Sequence, residues 1–310
     1  MNSVENRRTL RGLQSFRLGI IARHSPRSVA IPFASDARLG AYLKLTTSRI
    51  SVNSPLPSVV AECNAIIANN RETLSSSDVD MILADVGTRG EIGDRTLLSW
   101  FDEPDVRWLE RVRANIGTLP SPAKVALAQK LAMETGQYAL SFRSGTSHLR
   151  QPLTNIFLKL SSRLPEVIDN GKRNLCTMKP PRQFVSETEA DLMFLTLPAP
   201  SFDGMRAALG NRAWREEWIR GGTEFWREFE EKSAGQIHGR TPSKSMYLKS
   251  LEQLLRSARK MRHWLLELPA ESYIASNDVI ETVGSIRPVK KVFTKDLSEI
   301  GRGRSMILSA

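Results

Sequence analysis

The chain has 310 residues, 41% of them hydrophobic and 25% charged, which is enough apolar material for a sizeable core and excludes disorder throughout. Lys and Arg number 44 against 33 Asp and Glu, a net charge of +11. Arg outnumbers Lys, and guanidinium forks favour a polyanionic partner. Two cysteines, Cys63 and Cys176, without a CxxC spacing exclude a zinc finger and a disulfide scaffold, and no apolar run reaches the ~18 residues needed to span a bilayer.

Residues 1–35 carry Arg7, Arg8, Arg11, Arg17, Arg23 and Arg27 against a single acid, Glu5, with several serines between them. This composition suits a flexible basic arm that settles on nucleic acid, and equally a cleavable mitochondrial presequence. Helical signals follow. Asp36 is placed to cap a helix reaching Arg49, and Ser58 one reaching Leu74; Asp78 heads a short helix and Pro104 a longer one through Leu109, Val112 and Ile116. Ser121-Pro122 is a strong start for a helix to Gly136, and Leu153, Ile156, Phe157 and Leu160 keep helical register between Ser147 and Leu164. These elements make an expected first lobe over 36–168.

Residues 169–185 show no period, contain Pro180-Pro181 and carry Lys172, Arg173, Lys179 and Arg182, so they read as a linker. The second lobe, 186–310, opens with a Ser186/Glu189 capping box expected to start a helix through Leu192 and Phe194. Two short helices hinge at Gly221-Gly222, where Trp214 with Trp218 and Phe225 with Phe229 form i,i+4 pairs read as buried. Ser243 to Leu268 reads as one long amphipathic helix with Lys249, Arg256, Arg259 and Lys260 available to an anion. The tail offers a helix from Ser276 to Val283, a short extended PVKKVF and a final turn near Leu297.

Catalytic signatures are missing. The four histidines form no HExxH, and neither GxSxG nor a phosphate-loop lysine occurs, so no catalytic residue, metal or cofactor is assigned and the chain is read as non-enzymatic. Met81 to Asp94, MILADVGTRGEIGD, resembles the first nucleotide loop of class I methyltransferases, with an apolar run ending in Asp85 followed by Gly87 and Gly90, although Arg89 stands where that family has its middle glycine.

The expected fold is all-α, two helical lobes with a flexible basic N-terminal arm, an architecture that resembles nucleocapsid and coat proteins of RNA viruses. The expected function is non-enzymatic nucleic-acid binding, with RNA the expected partner, in a ribonucleoprotein subunit or homo-oligomer. Phosphates would be held by Lys249, Arg256, Arg259, Lys260, Lys172, Arg173, Lys179, Arg182, Arg7, Arg8 and Arg11. The alternative is a mitochondrial matrix or organelle-ribosome-associated protein with a cleavable presequence, and the third reading is a small-molecule methyltransferase. A soluble protein of a reducing compartment is expected, with virion or mitochondrion both open.

Overall fold

The computed structural model describes residues 2–46, 48–85, 93, 95–142, 144–199, 203–268, 274–298 and 303–310, with backbone alone for 2–11. Seven strands form one sheet: β1 (Ser28–Ile31), β2 (Arg49–Asn53), β3 (Leu175–Thr177), β4 (Leu192–Thr196), β5 (His263–Leu268), β6 (Lys291–Asp296) and β7 (Arg304–Ser309). Their spatial order is β3-β2-β1-β4-β5-β7-β6; the first five run parallel, and β7 is antiparallel to β5 and β6.

Parallel neighbours need crossover connections, and helices supply them. Helix α1 (Asn2–Ala22) precedes β1, and α2 (Arg38–Lys44) joins β1 to β2. Between β2 and β3 lie α3 (Pro57–Cys63), α4 (Ser76–Leu83), α5 (Glu103–Ile116), α6 (Pro122–Ala139) and α7 (Leu153–Ser161). Then α8 (Pro181–Glu187) leads to β4. The segment from β4 to β5 holds α9 (Gly204–Leu209), α10 (Trp214–Arg220), α11 (Glu224–Ser233) and α12 (Lys244–Ser257), and α13 (Ser276–Gly284) leads to β6.

The fold is therefore α/β, and the all-α expectation is overturned. The reason is physical: strands of a covered parallel sheet are buried on both faces, so they read as short continuous apolar runs that periodicity cannot tell from helix. The stretch 243–268 shows it best. Ser243 caps α12 by accepting the Met246 amide at 3.3 Å, but the helix ends at Ser257. The Trp264 indole donates to the Ala258 carbonyl at 3.2 Å across the turn, and the remainder is β5. Trp264 and Leu266 then face one side of the sheet and Leu265 the other.

Three further expectations change for the same reason. Leu192 and Phe194 belong to strand β4, residues 169–185 contain β3 and the start of α8, and the basic arm is helix α1 followed by β1. Among the described residues no helix is long and apolar enough to cross a membrane.

Alternation along the strands sorts the core. Ala30, Met193, Leu195, Trp264 and Leu308 pack with Phe184, Leu251, Leu255 and Val283 on one face. Val29, Ile31, Ile50, Phe194 and Ile307 pack with Ile20, Leu43, Val59 and Phe229 on the other. A third cluster, Leu109, Val112, Leu131 and Phe157 closed by Trp214 and Trp218, holds the helices inserted between β2 and β3. Trp214 and Trp218 are fully buried, as their spacing indicated. Gly136 lets Trp214 approach α6, because a Cβ there would strike the indole.

Asn53, at the carboxyl end of β2, binds three strand ends together. Its amide donates to the Pro32 and Lys179 carbonyls at 3.2 and 3.0 Å, and its oxygen accepts from the Thr177 hydroxyl and the Lys179 amide at 2.9 and 2.8 Å.

Strand β1 sits between β2 and β4 with Val29 and Ala30 fully buried. A chain starting at Ala34, as presequence cleavage would produce, loses that strand and with it the bridge between the sheet's halves. Such a truncation is expected to show no cooperative thermal transition by circular dichroism; a sharp transition like that of the full chain would contradict the assignment of β1.

Candidate nucleic-acid interface

In a parallel sheet every strand is entered from the same edge, so residues that precede strands in sequence collect in space. Arg23 and Arg27 precede β1, Arg49 opens β2, Lys172 and Arg173 precede β3, Arg259, Lys260 and Arg262 precede β5, Lys290 precedes β6 and Lys291 opens it. All ten are exposed. At about 4.8 Å between strands, the seven-stranded edge runs about 29 Å.

Contacts within this edge show the loops converging. The His24 and His263 rings lie 4.8 Å apart although they precede and open different strands. His263 is held below its ordinary pKa by burial, and then by His24, Arg262, Lys290 and Arg287; His24 is lowered by burial and by Lys290. Beside burial, cations from the segments before β5 and β6 thus oppose protonation at one place. Arg23 lies 5.0 Å over the Phe293 ring. Arg287 fixes the loop before β5, donating to the carbonyls of Met261, Arg262 and Arg259 at 2.9, 3.1 and 3.0 Å and stacking 4.0 Å over Trp264.

Acids on this edge include Glu189, exposed before β4, with Asp191 and Asp169. Asp191, before β4, accepts the Arg27 and Ser28 amides at 2.8 and 3.1 Å, and Asp169 pairs with Arg71 at 3.4 Å. Among the described residues none of the ten cations has a carboxylate within 4.0 Å; elsewhere Lys179 pairs with Glu187 at 2.6 Å, Arg240 with Glu230 at 3.2 Å, Lys244 with Asp278 at 2.6 Å and Arg256 with Glu252 at 2.5 Å, while Arg182 and Lys249 are exposed without an ion pair. The Arg49 guanidinium donates to the Glu189 carbonyl at 2.6 Å and keeps its charge.

The sites expected from sequence divide accordingly. Lys172, Arg173, Arg259 and Lys260 come together on the amino edge. Lys179 and Arg182 follow β3 and lie on the carboxyl edge, where Arg182 donates to Gln253 at 3.1 Å. Lys249 and Arg256 sit on the exposed side of α12. Arg7, Arg8 and Arg11 lie on α1, with side chains outside the described residues. Arg49 and Arg262 were missed; their signal is a cation placed immediately before a short apolar run.

The carboxyl edge differs in character. Where the strand order reverses between β1 and β4, a cavity of about 210 Å³ is lined by Asp36, Glu62, Glu134 and Glu216 and by Arg38, Lys130, Arg212 and Arg215, four acids against four bases. Glu216 is buried there, accepts the Ser58 amide at 2.9 Å and contacts the Ser58 hydroxyl. Burial raises its pKa to about 7, against the opposing effect of those hydrogen bonds and of Arg215. Its neighbour Glu217, fully buried, accepts from the Trp100 and Trp226 indoles at 2.7 and 2.8 Å and from Arg206 at 3.0 Å. Of the stretch Met81–Asp94, the first residues end α4 and Asp85 pairs with Arg111 at 3.2 Å, while Gly87, Arg89 and Gly90 lie outside the described residues. Searches of family models, curated proteins and solved structures give no match to this chain.

Because Glu216 keeps its proton to about pH 7 in the folded state and releases it near 4.5 when exposed, the folded chain holds more protons between those values. Stability contributed by this site is present below the lower value and is lost as pH rises toward 7, by roughly 3 kcal/mol. Urea titrations should find Glu216→Gln removing most of that decline; an unchanged pH profile would show that Glu216 titrates normally.

Proposed function

We propose that the protein binds nucleic acid along the amino edge of its sheet and does not act on it chemically. The observation that carries this reading is the convergence of ten cations without carboxylate partners among the described residues, drawn from segments far apart in sequence, on one edge about 29 Å long. Phosphates repeat along a strand and need cations repeated along a surface; neither paired cations nor a single basic helix meets that need. Trp214, Trp218, Phe225, Trp226 and Phe229 are buried and give bases no platform. The contact is therefore with backbone phosphates, strongly salt-dependent and tolerant of sequence. RNA remains the expected form, and the likeness to capsid proteins, which rested on two helical lobes and a flexible arm, is not carried further.

The methyltransferase reading gains one observation and loses another. The strand order, with an antiparallel seventh strand, is the one class I methyltransferases use, so the sheet their nucleotide loop needs is present. The loop after β1 does not fit that role. It has no glycine between Ile31 and Leu39, the Ala34 amide donates to the Asn53 carbonyl at 3.0 Å, and the Pro32 and Ala34 carbonyls accept from Asn53 and Ser54 at 3.2 and 3.0 Å. Backbone groups that would approach a cofactor are consumed internally. Gly40, the first glycine that follows, serves packing instead, since a Cβ there would collide with Ile67.

Fluorescence anisotropy with RNA and DNA strands of one sequence tests the interface. The triple variant Arg259→Glu/Lys260→Glu/Arg262→Glu should weaken binding at least tenfold and reduce the slope of log affinity against log salt by about 2, at about 0.7 per lost contact with a single strand. Lys249→Glu/Arg256→Glu, on α12, should change affinity less than about twofold. Binding that is absent at low salt, or equally weakened by both variants, would overturn the assignment.

A further inference from the structure

The two cysteines of this chain come from distant parts of the sequence, and the fold sets them side by side. Cys176 lies on β3 level with Val52 of β2, and it packs against the core cluster that contains both Val52 and Cys63. Helix α3, which ends at Cys63, lies against β3 on that face and returns antiparallel to it. A second contact fixes the alignment. The Asn174 amide donates at 3.1 Å to the carbonyl of Ile67, in the turn that continues α3. Two residues on along the strand advance about 6.6 Å, and four residues back along the helix about 6 Å, so the step that starts at Asn174 and Ile67 arrives at Cys176 and Cys63. Hydrogen bonding with Cys176 and then burial push the Cys63 thiol well above its usual pKa.

The two sulfurs differ in access and surroundings. Cys63 is 1% exposed and keeps its proton at pH 7. Cys176 is partly exposed, on the outermost strand of the sheet. The Lys44 ammonium, itself buried and donating to the Ile66 carbonyl at 3.1 Å and to the Asn69 carbonyl, lies within electrostatic reach of the Cys176 sulfur. Peroxides react with thiolates, and they do so at accessible sulfurs beside a cation. A second thiol in contact then decides the product, because a sulfenic acid condenses with a neighbouring thiol to a disulfide. Cys63 is shielded from the oxidant and stays reduced for that step.

We propose that Cys176 and Cys63 form a modification site for hydroperoxides, Cys176 being the thiol that is oxidised and Cys63 the thiol that closes the disulfide. The Cys176 sulfur attacks the outer peroxide oxygen: an S–O bond forms, the O–O bond breaks, and the thiol proton leaves with the released alcohol, which is water when the oxidant is hydrogen peroxide. The Cys63 sulfur then attacks the Cys176 sulfur: the S–S bond forms, the S–O bond breaks, and hydroxide leaves with the Cys63 proton as water. The two thiols lose two electrons and the peroxide gains them. The product ties the outer strand β3 to α3 and closes the segment that carries α4 to α7 into a loop. It adds a reversible bond to a fold that stands with both thiols free, and it does not depend on the nucleic-acid reading.

Treatment of the full chain with hydrogen peroxide, followed by alkylation and peptide mapping by mass spectrometry without reductant, tests it. The Cys63 and Cys176 peptides should appear linked within one chain, with two hydrogens lost, and dithiothreitol should restore both thiols. The thermal midpoint of the oxidised chain should rise by several degrees and fall back on reduction. In Cys63→Ala, dimedone should trap a sulfenic acid at Cys176, and peroxide should produce no rise in the midpoint. In Cys176→Ser, Cys63 should remain unoxidised at the same peroxide concentration. Both thiols intact in the full chain at millimolar peroxide, separate oxidation of each to sulfinic acid without a link, or a link only between chains would each overturn the proposal, and these three readouts need no variant to fold.

Discussion

Parallel pairing is the constraint on which the rest of this structure depends. Five neighbouring strands run the same way, so the chain must return to one edge before each of them, and every return loop is exposed there. Whatever the sequence places just before a strand is thereby gathered in space. Here it places arginine and lysine, from residues as far apart as Arg23 and Lys291, and a charge distribution that looks scattered along the chain becomes one cationic edge. The depression of both His24 and His263, by burial first and by cations of neighbouring loops second, is the local consequence.

The opposite edge is built for cohesion. Asn53 joins the ends of β1, β2 and β3, Glu217 gathers Trp100, Trp226 and Arg206 from three helical segments, and Glu267 accepts Arg17 at 2.9 and 2.6 Å, which pins α1 across the sheet. A buried carboxylate is costly unless its lone pairs are filled, and Glu217 and Glu267 meet that condition with several donors each. Glu216, with Ser58 supplying its hydrogen bonds, meets it less fully and has its pKa raised.

How much of this was legible depends on which physical signal each segment carries. Helices with caps and an outward polar face were readable: Ser121-Pro122 starts α6, Gly221 in the left-handed region ends α10, and the aromatic i,i+4 pairs are buried. Strands were not, because SVAI, LMFLT and WLLEL are covered on both faces and lack the alternation that betrays a half-exposed strand. Missing β5 fused it to α12, and missing β1 left Arg23 and Arg27 in an apparent arm. The site suffered in turn. Lys172, Arg173, Arg259 and Lys260 were recognised as cations of interest, yet nothing in one dimension separates them from Lys179 and Arg182, whose opposite placement emerges only when the sheet is assembled.

The central claim, that phosphates are held where the chain enters its strands, is tested most directly by amide hydrogen exchange with and without a saturating oligonucleotide. Protection is predicted in the segments 23–27, 172–174, 259–262 and 290–291, with α12 and the carboxyl-edge loops unchanged. Protection confined to α12 or to the loops that follow β1, β2 and β3 would contradict it.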